Sequence, residues 1–435
     1  MKHPKKSLRW MRLDNAAKIY PAALRKGWSN VFRLSATLTE EVDCAALRQA
    51  LDAVVPRFPS IAARLRKGIF WYYLEQLPAA PELTEEAACP VRPMTQRELH
   101  RCALRVIVYR RRIAVEFFHS LTDGTGGLIF LKTLLAEYLH IRHGILIPPT
   151  HGVLSCGEAP LPEELEDSFP KYAAPVRASR KETNAWHLTG TREAAGFRNL
   201  VCFRLSTEEV RGAAEKHGVT VTVFLCAALM EALLALQAEK IPNRRFRRLV
   251  KVLLPVNLRP LFGSSTLRNF AMYTTPEADP RLGDYTFEEL CSLIRHRMGL
   301  EITAKHMGTR IATNVRDEQS LAVKLLPLFI KNAVMKAIFD AVGEKKSCLS
   351  LSNLGLVRLP EAMVPYIERL DFILGTQAKA PHNCAVIAWG DTLCINFIRN
   401  IRESDLELHF FRCLKAHGLH VLAESNRQNK REKGM

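Results

Sequence analysis

VEFFHSLTDGTGG, residues 115–127, joins a strand-like run to a helix-like run through a histidine and an aspartate. The strand-like run ends at His119. Asp123 and Gly124 follow four and five residues later, and an apolar pattern with helical spacing then begins. A neutral imidazole accepts a proton from a hydroxyl or an amine near pH 7, and a base at the end of a strand has a fixed direction. The spacing H-x-x-x-D-G therefore indicates a general base, His119, at the start of a short turn.

The aspartate of this stretch has two interpretations from the residues alone. Asp123 directly precedes the helical pattern, and aspartate is a preferred residue at the N-cap of a helix. In the other interpretation it orients the imidazole of His119, as an aspartate does in a protease triad. The short turn disfavours that geometry, because Gly124 and the start of the helix direct the carboxylate away from the ring. Gly124 lets the chain turn sharply or approach other backbone closely.

The segments on either side predict a mixed α/β chain. The strand CALRVIVY and a basic turn precede the motif as the first arm of a hairpin, and the helix after it is expected to end at Gly144. From about residue 146 to 195 the chain is rich in Pro, Gly and acidic residues with weak periodicity, which is typical of a long connection. We therefore predict an N-terminal lobe at 1–145, a crossover segment at 146–195 and a C-terminal lobe at 196–435, with two mixed sheets.

Length and composition limit the class of protein. The chain has 435 residues, 48% of them hydrophobic, which is enough for a two-lobed molecule with a large core. Its eleven cysteines form no C-x-x-C pair, which favours free thiols in a reducing compartment. The basic N-terminus has no apolar run of signal-peptide length, and we identify no transmembrane segment. These features predict a cytoplasmic protein.

The charge is strongly positive. A formal net charge of +18 attracts anions such as nucleic acid, a membrane surface, a phosphorylated co-substrate or an acidic partner protein, and does not choose among them. The sequence has no zinc-finger spacing and no RNP-type aromatic motif, so no nucleic-acid partner is expected. The apolar and basic stretch from Leu321 to Val342 predicts a core-packing helix, with a membrane-surface helix as the alternative.

The motif and three further segments resemble the superfamily of coenzyme-A-dependent acyltransferases with a chloramphenicol-acetyltransferase-like fold. That superfamily includes alcohol acetyltransferases, plant-type BAHD acyltransferases and the condensation domains of peptide synthetases. The segments are LPVNLRP at Leu254–Pro260, LRNF at Leu267–Phe270 and LSNLG at Leu351–Gly355. Phe118 stands where many members have a second histidine, and the D-F-G-W-G of the plant family is absent. The chain is most similar to the bacterial alcohol-acetyltransferase-like group.

The resemblance implies a fold and a set of site residues. The fold is α/β and two-lobed, with a mixed sheet flanked by helices in each lobe and an active-site tunnel between them. His119 is then the general base, and Asp123 is structural and paired with Arg259, which we expect to be bidentate. Ser352 or Asn353 is expected to donate a hydrogen bond to the tetrahedral oxyanion. No metal and no covalent acyl-enzyme are implied.

The resemblance also implies a reaction, the direct transfer of an acyl group, acetyl or longer, from coenzyme A to an alcohol. An amine acceptor stays open. Acyl-CoA is then a co-substrate rather than a tightly bound cofactor, and a monomer is expected. One alternative is a stand-alone condensation-type enzyme that uses acyl groups bound to an acyl carrier protein, against which Phe118 counts. The other is a non-catalytic binding module of the same fold, against which the intact motif counts.

Two further groups of residues have more than one interpretation. The basic run Asn243–Lys251 is a solvated hairpin, or it meets the phosphates of coenzyme A or an acidic carrier protein. A cluster near the C-terminus suggests a metal site, but structural zinc takes four compactly spaced ligands, so we predict none there. Its members are His409, Cys413, His417 and His420.

Overall fold

The computed structural model describes residues 8–427, with gaps at 23, 25–27, 88, 177–182, 195, 320–325, 342–344 and 378–379. Within those residues the strands are β1 (Trp10–Arg12), β2 (Val31–Leu38), β3 (Ala63–Lys67), β4 (Tyr72–Gln76), β5 (Leu83–Glu85), β6 (Leu104–Tyr109), β7 (Arg112–Phe118), β8 (Asn199–Ser206), β9 (Val250–Asn257), β10 (Ala271–Thr274), β11 (Glu277–Ala278), β12 (Leu349–Leu356), β13 (Ile367–Ile373), β14 (His382–Trp389), β15 (Thr392–Arg399) and β16 (Leu422–Ser425). The helices are α1 (Ile19–Ala22), α2 (Cys44–Val54), α3 (Gln96–Arg101), α4 (Gly124–His143), α5 (Pro162–Leu165), α6 (Ser168–Lys171), α7 (Thr207–Lys216), α8 (Val221–Lys240), α9 (Arg259–Phe262), α10 (Phe287–Glu301), α11 (Ala304–Gln319), α12 (Leu328–Ala341) and α13 (Asp405–Ala416).

The hairpin and the helix predicted around the motif are both present. Strands β6 and β7 pair antiparallel, and Tyr109 lies opposite Arg112 at the turn. Helix α4 begins after Asp123, whose side chain accepts hydrogen bonds from the backbone at its N-terminus. It ends at Gly144, whose φ of 70° lies in the left-handed region that glycine adopts without strain. The N-cap interpretation of Asp123 is therefore confirmed.

The strands form three sheets rather than the two that the sequence predicted. The order is β1-β4-β3 in a small sheet and β13-β2-β7-β6-β5 in a second. The largest sheet has the order β10-β9-β12-β14-β15-β8-β16, with β11 paired to β9. The last two are mixed, because β5 runs parallel to β6 and β12 runs parallel to both β9 and β14.

One strand from the second half of the chain lies in the sheet of the first half. Strand β13 pairs antiparallel with β2, opposite Leu34 and its neighbours. It also packs against β14 and β15 of the large sheet. The predicted C-terminal lobe at 196–435 therefore supplies an edge strand to the predicted N-terminal lobe at 1–145, which fastens the two halves together.

The large sheet separates two hydrophobic cores. On one face, side chains of β12 and β14 such as Leu351 and Val386 pack with helices α7, α8, α10 and α13. On the other face, side chains such as Ala385 and Ile387 belong to the core that contains β2, β7, α2 and α4. The second face of the large sheet is thus the one turned toward the motif.

Helix α8 is apolar on all sides because it is a core helix. By length and composition it could cross a membrane, although Glu231 interrupts its apolar run. In the structure it is mostly buried and packs against α7, α10, α13 and β9, as a core helix does. Burial on all sides accounts for its composition.

The crossover segment runs across both halves of the chain. Its regular structure in the described residues is limited to the one-turn helices α5 and α6. Glu164 of α5 accepts both Nη groups of Arg57 at 2.6 and 2.8 Å, and its carbonyl accepts the N–H of Leu267 at 2.8 Å. Of the predicted helix from Leu321 to Val342, the part at Leu328–Ala341 is helical, and residues 321–325 and 342 lie outside the described residues.

Candidate active site

His119 directly follows β7, and the fold holds it from three sides. Its backbone N–H donates to the carbonyl of Asn30 at 2.8 Å, which extends the pairing of β2 with β7 by one hydrogen bond. Its ring stacks on Tyr20 with centroids 4.5 Å apart and 14° between the planes. The ring of Phe32 meets it edge-on at 5.1 Å. The imidazole is thus fixed in direction at the end of a strand.

A series of hydrogen bonds leads from His119 to a buried carboxylate. Nδ1 of His119 lies 3.1 Å from Oδ1 of Asn269, and Nδ2 of Asn269 donates to Oδ2 of Asp14 at 3.3 Å. Because a carboxylate only accepts, the amide NH₂ of Asn269 faces Asp14 and its oxygen faces the ring. Nδ1 therefore carries the ring proton, and Nε2 keeps its lone pair.

Burial sets the protonation states along this series. Burial lowers the pKa of His119 below 6.5. A hydrogen bond to the residue's own backbone, the charge of Asp123 and the hydrogen bond to Asn269 all raise this pKa, but they offset the effect of burial only in part. Burial raises the pKa of Asp14 to about 6, although Arg268 opposes it. Near pH 7 the imidazole is therefore neutral and Asp14 is charged, which is the state that a base needs before it takes a proton.

Neither Asn269 nor Asp14 was predicted from the sequence as a partner of the histidine. Asn269 lies in the LRNF segment that supported the resemblance, but the resemblance gave it no role. Asp14 lies in an N-terminal segment with no motif, and 255 residues separate it from Asn269. The pairing is visible only in the folded chain, because nothing local at either residue points to the other.

Asp123 acts both as the helix cap and as the partner of Arg259. Its Oδ1 accepts from the backbone N–H groups of Thr125 and Gly126 at 3.1 and 3.2 Å. Its Oδ2 accepts from Arg259 Nη1 and from the N–H of Phe270, each at 2.9 Å. Burial raises the pKa of this carboxyl, but Arg259 and the N–H donors outweigh burial and hold the pKa below its usual range. Because its acceptor positions are all occupied, the protease-like interpretation of Asp123 is wrong.

The predicted ion pair of Asp123 with Arg259 is present, but it is not bidentate. Only Nη1 of Arg259 reaches the carboxylate. Nε donates to the carbonyl of Thr266 at 2.7 Å, and Nη2 donates to the carbonyl of Arg268 at 2.6 Å. The guanidinium therefore binds the loop that leads directly to Asn269. In this way the pair that caps α4 also positions the hydrogen-bond partner of His119.

The motif turn at Gly124 lies directly against β12. A Cβ at Gly124 would lie 2.9 Å from Cδ2 of Leu354. The contact is with a side chain, whereas the sequence had suggested a sharp turn or a close approach to backbone. It places one face of β12, the face that carries Leu354, directly against the motif.

Ser352 and Asn353 lie on opposite faces of β12, because consecutive strand residues alternate. Ser352 lies opposite Ala385 and shares the face of Leu354, the face turned toward the motif. Asn353 lies opposite Val386 on the face that packs under α8. Its Nδ2 donates to Oγ1 of Thr222 at 3.0 Å and its Oδ1 accepts the N–H of Gly355 at 2.8 Å. Of the two predicted oxyanion donors, Ser352 therefore lies on the face turned toward the motif and Asn353 on the opposite face.

The four candidate metal ligands near the C-terminus do not converge. His409 pairs with Glu239 at 3.1 Å and His420 pairs with Glu209 at 2.8 Å. Cys413 and His417 do lie together with Glu231, and one ligand atom from each falls within 4.8 Å of the others. The Cys413 thiol donates to Glu231 at 2.9 Å, so a hydrogen bond accounts for this contact.

Several residues of the basic run Asn243–Lys251 serve the fold. Arg244 pairs with Asp284 at 2.7 Å, and Arg247 donates to the carbonyls of Ile241 and Pro242. Lys251 is buried and bonds Thr183 and Glu277. The run is not a hairpin, because it joins α8 to β9 through a single helical turn at Arg244–Phe246; Arg244 is exposed, while Lys251 belongs to the core.

Comparisons with known proteins establish the fold. Protein-family models and curated proteins give no match to the chain. Among solved structures, it is similar to F. sporotrichioides TRI101 complexed with coenzyme A and T-2, with a TM-score of 0.62 and 11% identity over 96% of this chain and 100% of that chain. It is similar to TRI3 trichothecene 15-O-acetyltransferase from Fusarium sporotrichioides, with a TM-score of 0.60 and 11% identity over 96% of each chain.

A third similar structure is the first condensation domain of the CDA synthetase, with a TM-score of 0.57 and 14% identity over 95% of this chain and 96% of that chain. The chain therefore has the fold that these three proteins share. The α/β, two-lobed fold of the chloramphenicol-acetyltransferase type, predicted from the sequence, is confirmed. Identities this low leave the reaction and the substrates to be argued from the site.

The buried pair of Asp123 and Arg259 predicts a strong coupling in stability. Asp123→Ala and Arg259→Ala should each lower the free energy of unfolding by roughly 3 to 5 kcal/mol, because each leaves a buried charge without its partner. The double variant should lose less unfolding free energy than the two single variants added together, and the difference should be about 0.5 to 3 kcal/mol. Denaturant unfolding measures all three losses.

The exposed pair of Arg48 and Asp52, one helical turn apart, is the matched control. Its coupling should be at most about 0.5 kcal/mol, because solvent screens both charges. Additive losses for Asp123 and Arg259 would show that the pair does not hold the motif.

Proposed function

We propose that the chain is an acyltransferase that moves an acyl group from a coenzyme A thioester to a hydroxyl group, with Nε2 of His119 as the general base. The observation that carries the proposal is the series from Asp14 through Asn269 to Nδ1, which leaves Nε2 unprotonated on a fixed ring. The shared fold supports it, since similar structures include acetyltransferases and a protein complexed with coenzyme A.

The proposed reaction is a direct transfer. Nε2 accepts the proton of the acceptor hydroxyl. The hydroxyl oxygen attacks the carbonyl carbon of the thioester at the same time and forms a tetrahedral intermediate. The intermediate collapses with cleavage of the carbon–sulfur bond, and the sulfur leaves with the proton from the imidazolium. An ester and free coenzyme A result, and His119 returns to its neutral state. A basic chain with a formal charge of +18 suits the phosphates of coenzyme A.

The negative charge on the carbonyl oxygen of the intermediate requires a hydrogen-bond donor. Ser352 is the residue we propose for this role, because it lies on the face of β12 that packs against Gly124 of the motif. A hydroxyl there donates to an oxyanion and, unlike Asn353, has no competing role under α8.

A condensation-type enzyme that uses acyl groups on a carrier protein is the second candidate. The similar condensation domain and the net charge, which suits an acidic carrier, favour it. Phe118 counts against it, because the position that often carries a second histidine is a buried phenylalanine. A panel of coenzyme A thioesters and a phosphopantetheinyl carrier thioester separates the two candidates by which donor releases its thiol.

We also propose that the protein works in a reducing compartment such as the cytoplasm. All eleven cysteines are free thiols, and burial raises the pKa of Cys226, Cys291, Cys348, Cys384 and Cys413. A hydrogen bond with Cys394, together with burial, raises the pKa of Cys202. Buried protonated thiols are unreactive, so these cysteines act as small core residues.

His119→Ala should fold normally and lose about 10² to 10⁴-fold in thiol release from acyl-CoA in the presence of an alcohol, because a positioned base contributes that much. His140→Ala, on the exposed side of α4, is the control and should keep the wild-type rate. A His119→Ala rate of half the wild-type value or more would remove this residue from the mechanism. If the wild type releases thiol from neither kind of thioester and binds neither, the chain is a binding module.

The pH profile should report the lowered pKa of His119. The base must be neutral, so kcat/KM should be constant between pH 7 and 8 and should fall as the pH drops through a value below 6.5. Asp14 titrates in the same region, and its protonation works in the same direction by removing the charge at the end of the series. A midpoint above pH 7 would show that a different group acts as the base.

Ser352→Ala should lower kcat roughly 100-fold with little change in KM for the thioester, because an oxyanion donor acts mainly in the transition state. Asn353→Ala should instead lower the melting temperature and leave kcat near the wild-type value, because it breaks contacts to Thr222 and Gly355. The reverse pattern in steady-state kinetics would return the oxyanion role to Asn353.

A further inference from the structure

Helix α12 exposes two large apolar side chains and buries a lysine. Phe329 is 68% exposed and Val334 is 47% exposed, whereas Lys331 is 3% exposed. Nζ of Lys331 lies 3.5 Å from the ring centroid of Trp71, and Nδ2 of the neighbouring Asn332 donates to a tyrosine hydroxyl at 3.0 Å. On a surface helix of a soluble domain, a lysine is normally exposed and large apolar side chains are normally buried. The exposed Phe329 and Val334 are therefore candidates for contact with an apolar partner.

The turn between β3 and β4 extends this apolar surface. Ile69 at its tip is 77% exposed and Phe70 is 43% exposed. The carbonyl of Ile69 accepts the N–H of Leu328 at 3.0 Å, and the carbonyl of Phe70 accepts Nζ of Lys331 at 3.1 Å. These bonds join the turn to the start of α12. We call the exposed side chains of Ile69, Phe70, Phe329 and Val334 the apolar platform.

Positive charge lies beside the apolar platform. Lys67, at the end of β3, and Lys336, on α12, are both exposed. The segment 326–337 contains two lysines and no acidic residue. The chain has a net charge of +18. An apolar centre flanked by exposed lysines complements an interface that has an anionic outer layer and an apolar interior.

We propose that the apolar platform docks on an anionic phospholipid bilayer. A stable contact with a second copy of the chain takes about 20 to 30 residues on each side, and four large side chains are far fewer than that. A bilayer accepts a few inserted apolar side chains when nearby cations meet its headgroups. The carboxylates of an acidic protein would match the lysines but would not cover Phe329 and Ile69.

The docking surface lies close to the candidate base. Helix α12 packs against α1, and Tyr20 of α1 stacks on the ring of His119. Docking would therefore bring the His119 side of the molecule next to the bilayer. The proposal itself does not depend on the reaction, because docking can be measured without any substrate.

Co-sedimentation with vesicles tests the proposal. Wild-type protein should bind phosphatidylcholine vesicles that contain phosphatidylglycerol more strongly than vesicles of phosphatidylcholine alone, and added salt should weaken the binding. Phe329→Glu and Ile69→Glu should each lower the partition coefficient about tenfold or more, since each removes a large inserted side chain. Leu282→Glu is the control with the same charge change at another residue that is 82% exposed, and it should bind nearly as wild type.

Three outcomes would overturn the proposal. If the wild-type protein stays in the supernatant with anionic vesicles, it does not bind the bilayer. Equal binding by Phe329→Glu, Ile69→Glu and Leu282→Glu means that net charge alone attracts the protein. A wild-type dimer in light scattering that Phe329→Glu converts to a monomer means that a second copy covers the platform. Unchanged melting temperatures show that the variants are folded.

Discussion

The buried contact between Asp123 and Arg259 is the constraint on which the rest of the site depends. The carboxylate of Asp123 caps helix α4 and accepts hydrogen bonds from the N–H of Phe270 and from Nη1 of Arg259. A single side chain therefore connects elements from both halves of the chain. A buried ion pair need not stabilise a fold more than apolar residues would. The pair instead fixes geometry, because Arg259 also donates to the carbonyls of Thr266 and Arg268 in the loop before Asn269.

A short N-terminal segment that lies outside the three sheets completes the site. Asp14 ends the series that begins at His119, and Tyr20 covers the ring. The carbonyl of Ala17 accepts the hydroxyl of Ser120 in the motif at 3.0 Å. The candidate base is therefore assembled from three distant parts of the chain, so its environment exists only when all three have docked. The same segment separates the base from helix α12, which relates the membrane surface we propose to the site.

Local patterns in the sequence predicted the parts of the structure that local physics determines. The cap at Asp123 and the left-handed Gly144 specify both ends of α4, and alternation specifies the hairpin that ends at His119. The position of β13 beside β2 was not predictable, because strand pairing over such a distance leaves no local signal. The opposite faces of Ser352 and Asn353 follow from strand alternation, and only the choice between them required the fold.

The charges of the site explain how a neutral base and a buried aspartate can assist the same step. Before reaction Asp14 is charged and His119 is neutral, so the two attract only weakly. In the reaction we propose, Nε2 takes the acceptor's proton, and the ring becomes a cation joined to Asp14 through the polarised amide of Asn269. The attraction therefore grows as the transition state forms, and interactions stronger in the transition state than in the ground state are the ones that raise a rate. The charge of Asp123 also favours the imidazolium, but Arg259 pairs with that carboxylate at 2.9 Å and offsets its charge. In the mechanism we propose, Asp123 therefore mainly builds the site, and Asp14, outside the motif, supports the proton transfer.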